Sequence, residues 1–218
     1  MSLGLTGQNM IDDVAGALSM DGTQATQLAE ILRFLNRAAL WMAEMFDWPE
    51  LRVNDASFTS DGSDSYDLST EVSSTLLRVV DRSVRVSTTN LKSQPKTYMD
   101  MVDPARTTSA DPTGYCFVSP TDFRLLPYGS DGETVYLDYI KYPTEITAAL
   151  AAASQSFLPP RQELVIDGAI WRGERRLSLP SWEGHKEVWE RSVQKAFDKG
   201  SLSRFSPRQV IPNQPWSR

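Results

Sequence analysis

At 218 residues, 40% hydrophobic and 23% charged, the chain is long enough to bury a core as one domain or one and a half, and too apolar for global disorder. A formal charge of −6 and a pI near 4.9 speak against a nucleic-acid-binding body, and the lone Cys116 excludes an intrachain disulfide. The opening MSLGLTGQNMIDD lacks the basic and apolar stretches of a secretory signal, and no apolar run approaches the roughly 18 residues of a membrane helix, so a soluble protein made in a reducing cytoplasm is expected.

The chain starts with helical periodicity. Met10, Val14, Ala17 and Leu18 share one side of a short helix, and Asp21-Gly22 breaks it. In TQLAEILRFLNRAALWMAEMF the residues Leu28, Ile31, Leu32, Leu35, Ala39, Met42 and Phe46 recur at spacings of three and four. They predict a long amphipathic helix with Gln27, Glu30, Arg33 and Asn36 off the apolar face, closed by Trp48-Pro49.

From Leu51 to Tyr142 the period changes to two. LRVNDASF, SYDLST, LLRVV, SVRVST, YCFVS, FRLLP and TVYLDYIKY predict short strands, separated by the turn clusters TSDGSDS, SADPTG and YGSDGE. Short, closely spaced strands imply antiparallel pairing. The strongest hairpin signal is DFRLLPYGSDGETVYLDYIKY, two alternating runs around a loop holding Gly129 and Gly132.

TAALAAASQSF has no face of its own and is expected to be a linker. Pro159-Pro160 then starts a helix through RQELVIDGAIWRGERRL, where Gly168 and Gly173 would admit another element closely. Ser181 is a plausible N-cap for WEGHKEVWERSVQKAFDK, which carries a stripe of Trp189, Val193, Ala196 and Phe197 and a favourable Glu187–Arg191 pair. The expected fold is α+β: a bundle of N- and C-terminal helices with an inserted antiparallel β domain and an extended C-terminal tail. Boundaries follow at 1–50 for the first helices, 51–145 for the β domain, 146–200 for linker and last helices, and 201–218 for the tail.

Candidate chemistry is sparse. His185 and Cys116 are far apart in sequence and no motif surrounds either, so a Cys-His nucleophile pair has little support. One histidine and one cysteine do not make a zinc site, and no cofactor is expected. Asp61, Asp64 and Asp67 stand three apart, without the alternation and distal glutamate of a calcium loop, so they read as turn residues. No glycine-rich phosphate loop occurs between a strand and a helix. Tyr128, Tyr136, Tyr139 and Tyr142 cluster near one predicted hairpin, either as the face and rim of a sheet or as a platform for carbohydrate. No enzyme is indicated, and a carbohydrate-binding β module with helical flanks is the alternative reading of function.

The last stretch, GSLSRFSPRQVIPNQPWSR, holds Pro207, Pro212 and Pro215, which forbid a continuous helix. Its charge is +3, which leaves −9 for residues 1 to 199. Burying Phe205, Val210, Ile211 and Trp216 yields about 6 to 12 kcal/mol gross. Ordering the segment costs about 1 kcal/mol or more per residue, less at proline. One tail alone therefore binds weakly, whereas many presented together act at high local concentration. Arg204, Phe205, Arg208, Val210, Ile211 and Trp216 are accordingly the candidate assembly contacts.

The order of RFLNRAALWMAEMFDWPEL, YDLSTEVSSTLLRVVDRSVRV, DPTGYCFVSPTDFRLLPYGSDGETVYLDYIKYP, FLPPRQELVIDGAIWRGERRL and a last helix resembles the head-to-tail adaptor (gatekeeper, or tail tubular) proteins of tailed bacteriophages, over residues 8 to 200. The resemblance implies a structural virion protein of the neck, made in the host cytoplasm. It implies a ring, typically of twelve copies, below the portal protein, with a lumen that passes double-stranded DNA without sequence-specific binding. The helical part would face the portal and the β part the next tail component, a nozzle or tail tube. The tail would dock into the portal or a neighbouring subunit. Tyr128, Asp131, Asp61 and Asp64, in the two predicted loops, are the candidate contacts to the tail component. Carboxylates lining the lumen would repel DNA from its wall.

Overall fold

The structure, a computed structural model, describes residues 4–63, 65–104, 110–119, 121–127 and 132–201. They form an α+β protein whose described residues fall into two compact units, 4–42 with 145–201 and 43–144.

The first unit is helical. Helix α1 (Gly7–Leu18) starts at Thr6, whose hydroxyl accepts from the Asn9 amide while Asn9 Oδ1 accepts from the Thr6 amide, both at 3.1 Å. It buries Met10, Ile11, Val14, Ala15 and Leu18. Ala17, expected on that side, is exposed, because the stripe is centred on the 10–14–18 and 11–15 rows and leaves residue 17 at its margin. Helix α2 (Ala25–Met45) buries Ile31, Leu35, Ala39 and Met42 together with Phe34 and Ala38. After the β unit, α5 (Pro159–Arg176) begins with its two prolines in the first turn, and α6 (Trp182–Ser201) follows.

Two glycines of α5 set the helix spacing. A Cβ on Gly168 would lie 2.9 Å from both Ala38 Cβ and Trp189 Cε2, and one on Gly173 would lie 2.1 Å from Leu18 Cδ1. The close approaches expected at both glycines therefore occur, to α2 and α6 at the first and to α1 at the second. Residues 147–157, expected as a linker, are irregular apart from one 3-10 turn (Ala152–Ser154), yet they are tied down. Gly7 N donates to Leu150 O at 2.8 Å, and the Asn36 side chain brackets Ile146, donating to its carbonyl at 3.0 Å and accepting from its amide at 2.7 Å. Gln162, only 2% exposed, accepts from Leu5 N and donates to Phe157 O, both at 2.7 Å. A buried amide side chain satisfied on both ends stabilises the chain crossing rather than weakening it.

The second unit holds two sheets. In one, β9 (Thr134–Lys141) pairs antiparallel with β1 (Arg52–Thr59) on one side, and with β3 (Leu76–Val79) and β4 (Arg85–Val86) on the other; β5 (Thr89–Asn90) follows β4. In the other the order is β2 (Tyr66–Asp67), β8 (Asp122–Leu126), β7 (Gly114–Phe117), β6 (Lys92–Ser93). The β6–β7 pair is parallel, the exception to the antiparallel pairing expected throughout. Asp138 on β9 holds the bulge of β1: its carboxylate accepts from Asp55 N at 3.0 Å and from the Arg52 guanidinium. One core cluster draws on both sheets, with Phe58 of β1 edge-on to Phe123 of β8 at 6.0 Å, and Tyr115 stacked on Phe123 at 5.6 Å.

Two expectations fail here. The run DFRLLPYGSDGETVYLDYIKY is not a hairpin, since β8 and β9 belong to different sheets. Alternation alone fixes which face is apolar, and the eight-residue β1 offers β9 a longer ladder than β8 does. SYDLST is strand only to Asp67, whose carboxylate accepts from Ser69 N at 3.0 Å and caps a one-turn helix, α3 (Leu68–Glu71). A further helix, α4 (Lys96–Val102), has no counterpart in the sequence reading; it buries only Met99 and so carries no periodic stripe.

Gly7 and Gly16 make opposite predictions. A Cβ at Gly7 would fall 1.8 Å from the Thr147 carbonyl oxygen, whereas nothing lies within 4 Å of one at Gly16, inside α1. Gly7→Ala is expected to lower unfolding stability by about 3 kcal/mol and Gly16→Ala to raise it by about 0.5 to 1 kcal/mol, both read by chemical denaturation.

Candidate functional site

Of the residues expected to meet the tail component, Asp61 is described; Asp64, Tyr128 and Asp131 lie outside the described residues. Asp61 accepts from Ser63 N at 3.0 Å, and the Ser63 side chain first, then this amide, hold its carboxyl below the usual range. It is a turn residue at the end of β1. The candidate assembly contacts Arg204, Phe205, Arg208, Val210, Ile211 and Trp216 also lie outside the described residues.

Of the four clustered tyrosines Tyr128 lies outside the described residues, and the three described ones do not share one face. Tyr139 is buried in the β core, Tyr136 faces the opposite side of β9 beneath the Arg85 guanidinium at 4.9 Å, and Tyr142 is exposed beyond the strand. The carbohydrate reading loses its surface, because alternation along β9 sends positions 136 and 139 to opposite faces.

Cys116 is buried with Met99 and Leu126, while His185 on α6 bonds Glu174 Oε2 at 2.6 Å. Glu174 also accepts from the Ser181 hydroxyl at 3.1 Å, so the expected N-cap serine ties α6 back to α5. Among the described residues no group of three His, Cys, Asp or Glu side chains could hold a metal ion. A cleft of about 560 Å³ opens beside α4, lined by Lys92, Tyr98, Val102, Asp103, Asp111 and Leu126 among others. Its lining mixes one cation, two carboxylates and apolar side chains without a nucleophile–base pair. Nearby, Glu133 is held above the ordinary carboxylate range by burial and by Asp111, and its Oε2 is buried without a hydrogen-bond partner.

The most unusual arrangement lies in the helical unit. Trp41 of α2, Trp171 of α5 and Trp189 of α6 form a triangle with ring centroids 5.4 to 5.9 Å apart. Arg172 reaches into it, with Cζ 4.4 Å from the Trp41 and Trp171 centroids and 5.6 Å from Trp189, and Nη1 donating to Gly168 O at 3.0 Å. Burial, with the Arg37 and Arg175 charges, pulls its pKa down to about 10, so it remains a cation at neutral pH. The ring faces replace a counter-ion. Trp189 Nε1 donates to Leu164 O at 2.6 Å; the buried Trp171 Nε1 has no acceptor. Among the described residues Arg37, Arg172 and Arg175 have no acidic partner, while Arg33 at 3.4 Å and Arg176 at 3.9 Å share the single carboxylate of Glu30. The sequence reading used Trp189 only as part of a stripe; three tryptophans on three helices and the Trp171-Arg172 step were the signal available.

The chain belongs to the SU10 adaptor protein family, which it matches over residues 5–210. It is therefore a bacteriophage adaptor, a structural component of the virion that interacts with other head and tail components. No curated protein matches the chain. No helix among the described residues is long and apolar enough to cross a membrane.

Glu133 gives a pH test. Its folded pKa is raised, so its cost to stability appears as pH rises above the ordinary glutamate value and vanishes below it. Glu133→Gln is expected to raise the Tm at pH 7, with the gain disappearing as pH falls to about 4.

Proposed function

We propose that this adaptor forms a ring of identical copies, twelve by the family resemblance, that joins the portal of the capsid to the tail in the neck of the virion and lets double-stranded DNA pass without sequence-specific binding. The observation that carries this reading is the family match, which runs on to residue 210 and so takes in Arg204, Phe205, Arg208 and Val210 of the basic tail. A segment of +3 is complementary to an acidic surface such as the body of a neighbouring copy offers. The portal, or a neighbouring copy, is its receptor. The surplus of carboxylates in residues 1 to 199 suits a bore that holds DNA off its wall, with a reach of about 8 Å at physiological salt. The β unit, through Tyr128, Asp131, Asp61 and Asp64, meets the nozzle or tail tube.

Deleting residues 201–218 tests this. The truncated chain is expected to keep its circular dichroism spectrum and Tm while losing co-sedimentation with purified portal protein. Undiminished attachment of the truncated chain would contradict the proposed role of the tail.

A further inference from the structure

Helix α5 carries opposite charge on opposite sides. Glu163 and Asp167 are one turn apart on the same side, and Arg172 lies nine residues beyond Glu163, about two and a half turns, hence half a turn around. Both residues are exposed overall, although the Asp167 carboxyl is half-buried, and neither has an ion pair among the described residues. Partial burial and the Glu163 charge hold the Asp167 carboxyl above its ordinary range, eased by His185. Glu174 on that side bonds His185 and Ser181. Arg172 lies across the helix from Glu163, and the Arg37 and Arg175 charges press on it beside the tryptophan triangle; Arg175 itself lies to one side, its guanidinium 5.3 Å over the Trp182 ring. Each side thus carries an excess of one sign of charge, negative at Glu163 and Asp167, where His185 is the one cation acting on Asp167, and positive at Arg37, Arg172 and Arg175, which have no ion pair among the described residues.

We propose that copies of this chain join head to tail through these two edges, the Arg37–Arg172–Arg175 edge of one receiving Glu163 and Asp167 of the next. This rests on the ring reading above and names the contact that would close the ring. Neither edge can mate with itself, because like charges would face each other, so a two-fold pairing through either is excluded. Two complementary patches on different sides of one subunit generate a head-to-tail series, which closes when the rotation permits. Arg172 is pre-set for the contact: its caged guanidinium has little rotamer freedom left to lose. The chain's own tail, being basic, does not suit the arginine edge.

The test uses full-length chains and mass photometry, with portal protein present and absent. One variant carries Arg37→Glu and Arg175→Glu; the other carries Glu163→Arg and Asp167→Arg. All four positions are exposed, so circular dichroism should match the unmodified chain. Each variant alone is expected to need about tenfold or more protein to assemble. An equal mixture should assemble again, as alternating species with even copy numbers, since each contact then pairs opposite signs. If either variant alone assembles like the unmodified chain, the inference is wrong and the ring reading stands. If the unmodified chain forms no ring even with portal protein, both fall. Loss of duplex DNA binding in the first variant, with assembly intact, would reassign the arginine edge to phosphate and also overturn the inference.

Discussion

The helical unit depends on one close approach. Its two parts, residues 4–42 and 145–201, are separated in the chain by the whole β unit, and closure rests on the contact among Ala38, Gly168 and Trp189. Any side chain at 168 would push the helices apart. Because that position is bare, Trp189 reaches the Leu164 carbonyl and completes the triangle with Trp41 and Trp171. The same packing removes water from Arg172 and gives it ring faces in place of a carboxylate. Burial that stabilises the fold thereby leaves guanidinium charge without acid beside it.

The β unit meets a different constraint. Strand β9 serves three partners, and Asp138 on it fixes the irregular start of β1 through one amide and one guanidinium. A carboxylate with two such donors is oriented as well as neutralised. The two sheets then share aromatic contacts at Phe58, Tyr115 and Phe123. Among the described residues of this unit, Cys116 is buried with Met99 and Leu126, and Tyr136 and Tyr139 of β9 lie on opposite faces of the strand.

Much of the helical architecture was legible in the sequence because helical spacing and proline placement are local signals. The stripe of α2, the double-proline start of α5 and the bare positions at Gly168 and Gly173 all correspond to what the structure contains. Pairing among strands was less legible. Alternation states which face is apolar but not which strand is the neighbour, so β8 and β9 were read as a hairpin although each found a different sheet. Asp67 reads as a turn residue, and its role as a helix cap depends on the Ser69 amide being free to receive it. The arginine–tryptophan cluster was missed because its members sit on three helices, Trp41, Trp171 with Arg172, and Trp189, and only tertiary packing brings them together. The candidate contacts of the basic tail were identified from composition alone.

If closure at Gly168 governs the helical unit, its two chain segments form one cooperative structure. Native-state hydrogen exchange on the full chain measures this directly. Amides of α2 around Ala38–Met42, of α5 around Gly168–Trp171 and of α6 around Trp189 should open with a common free energy and the same denaturant dependence. Protection that persists in α1 and α2 while α5 and α6 exchange freely would contradict the account.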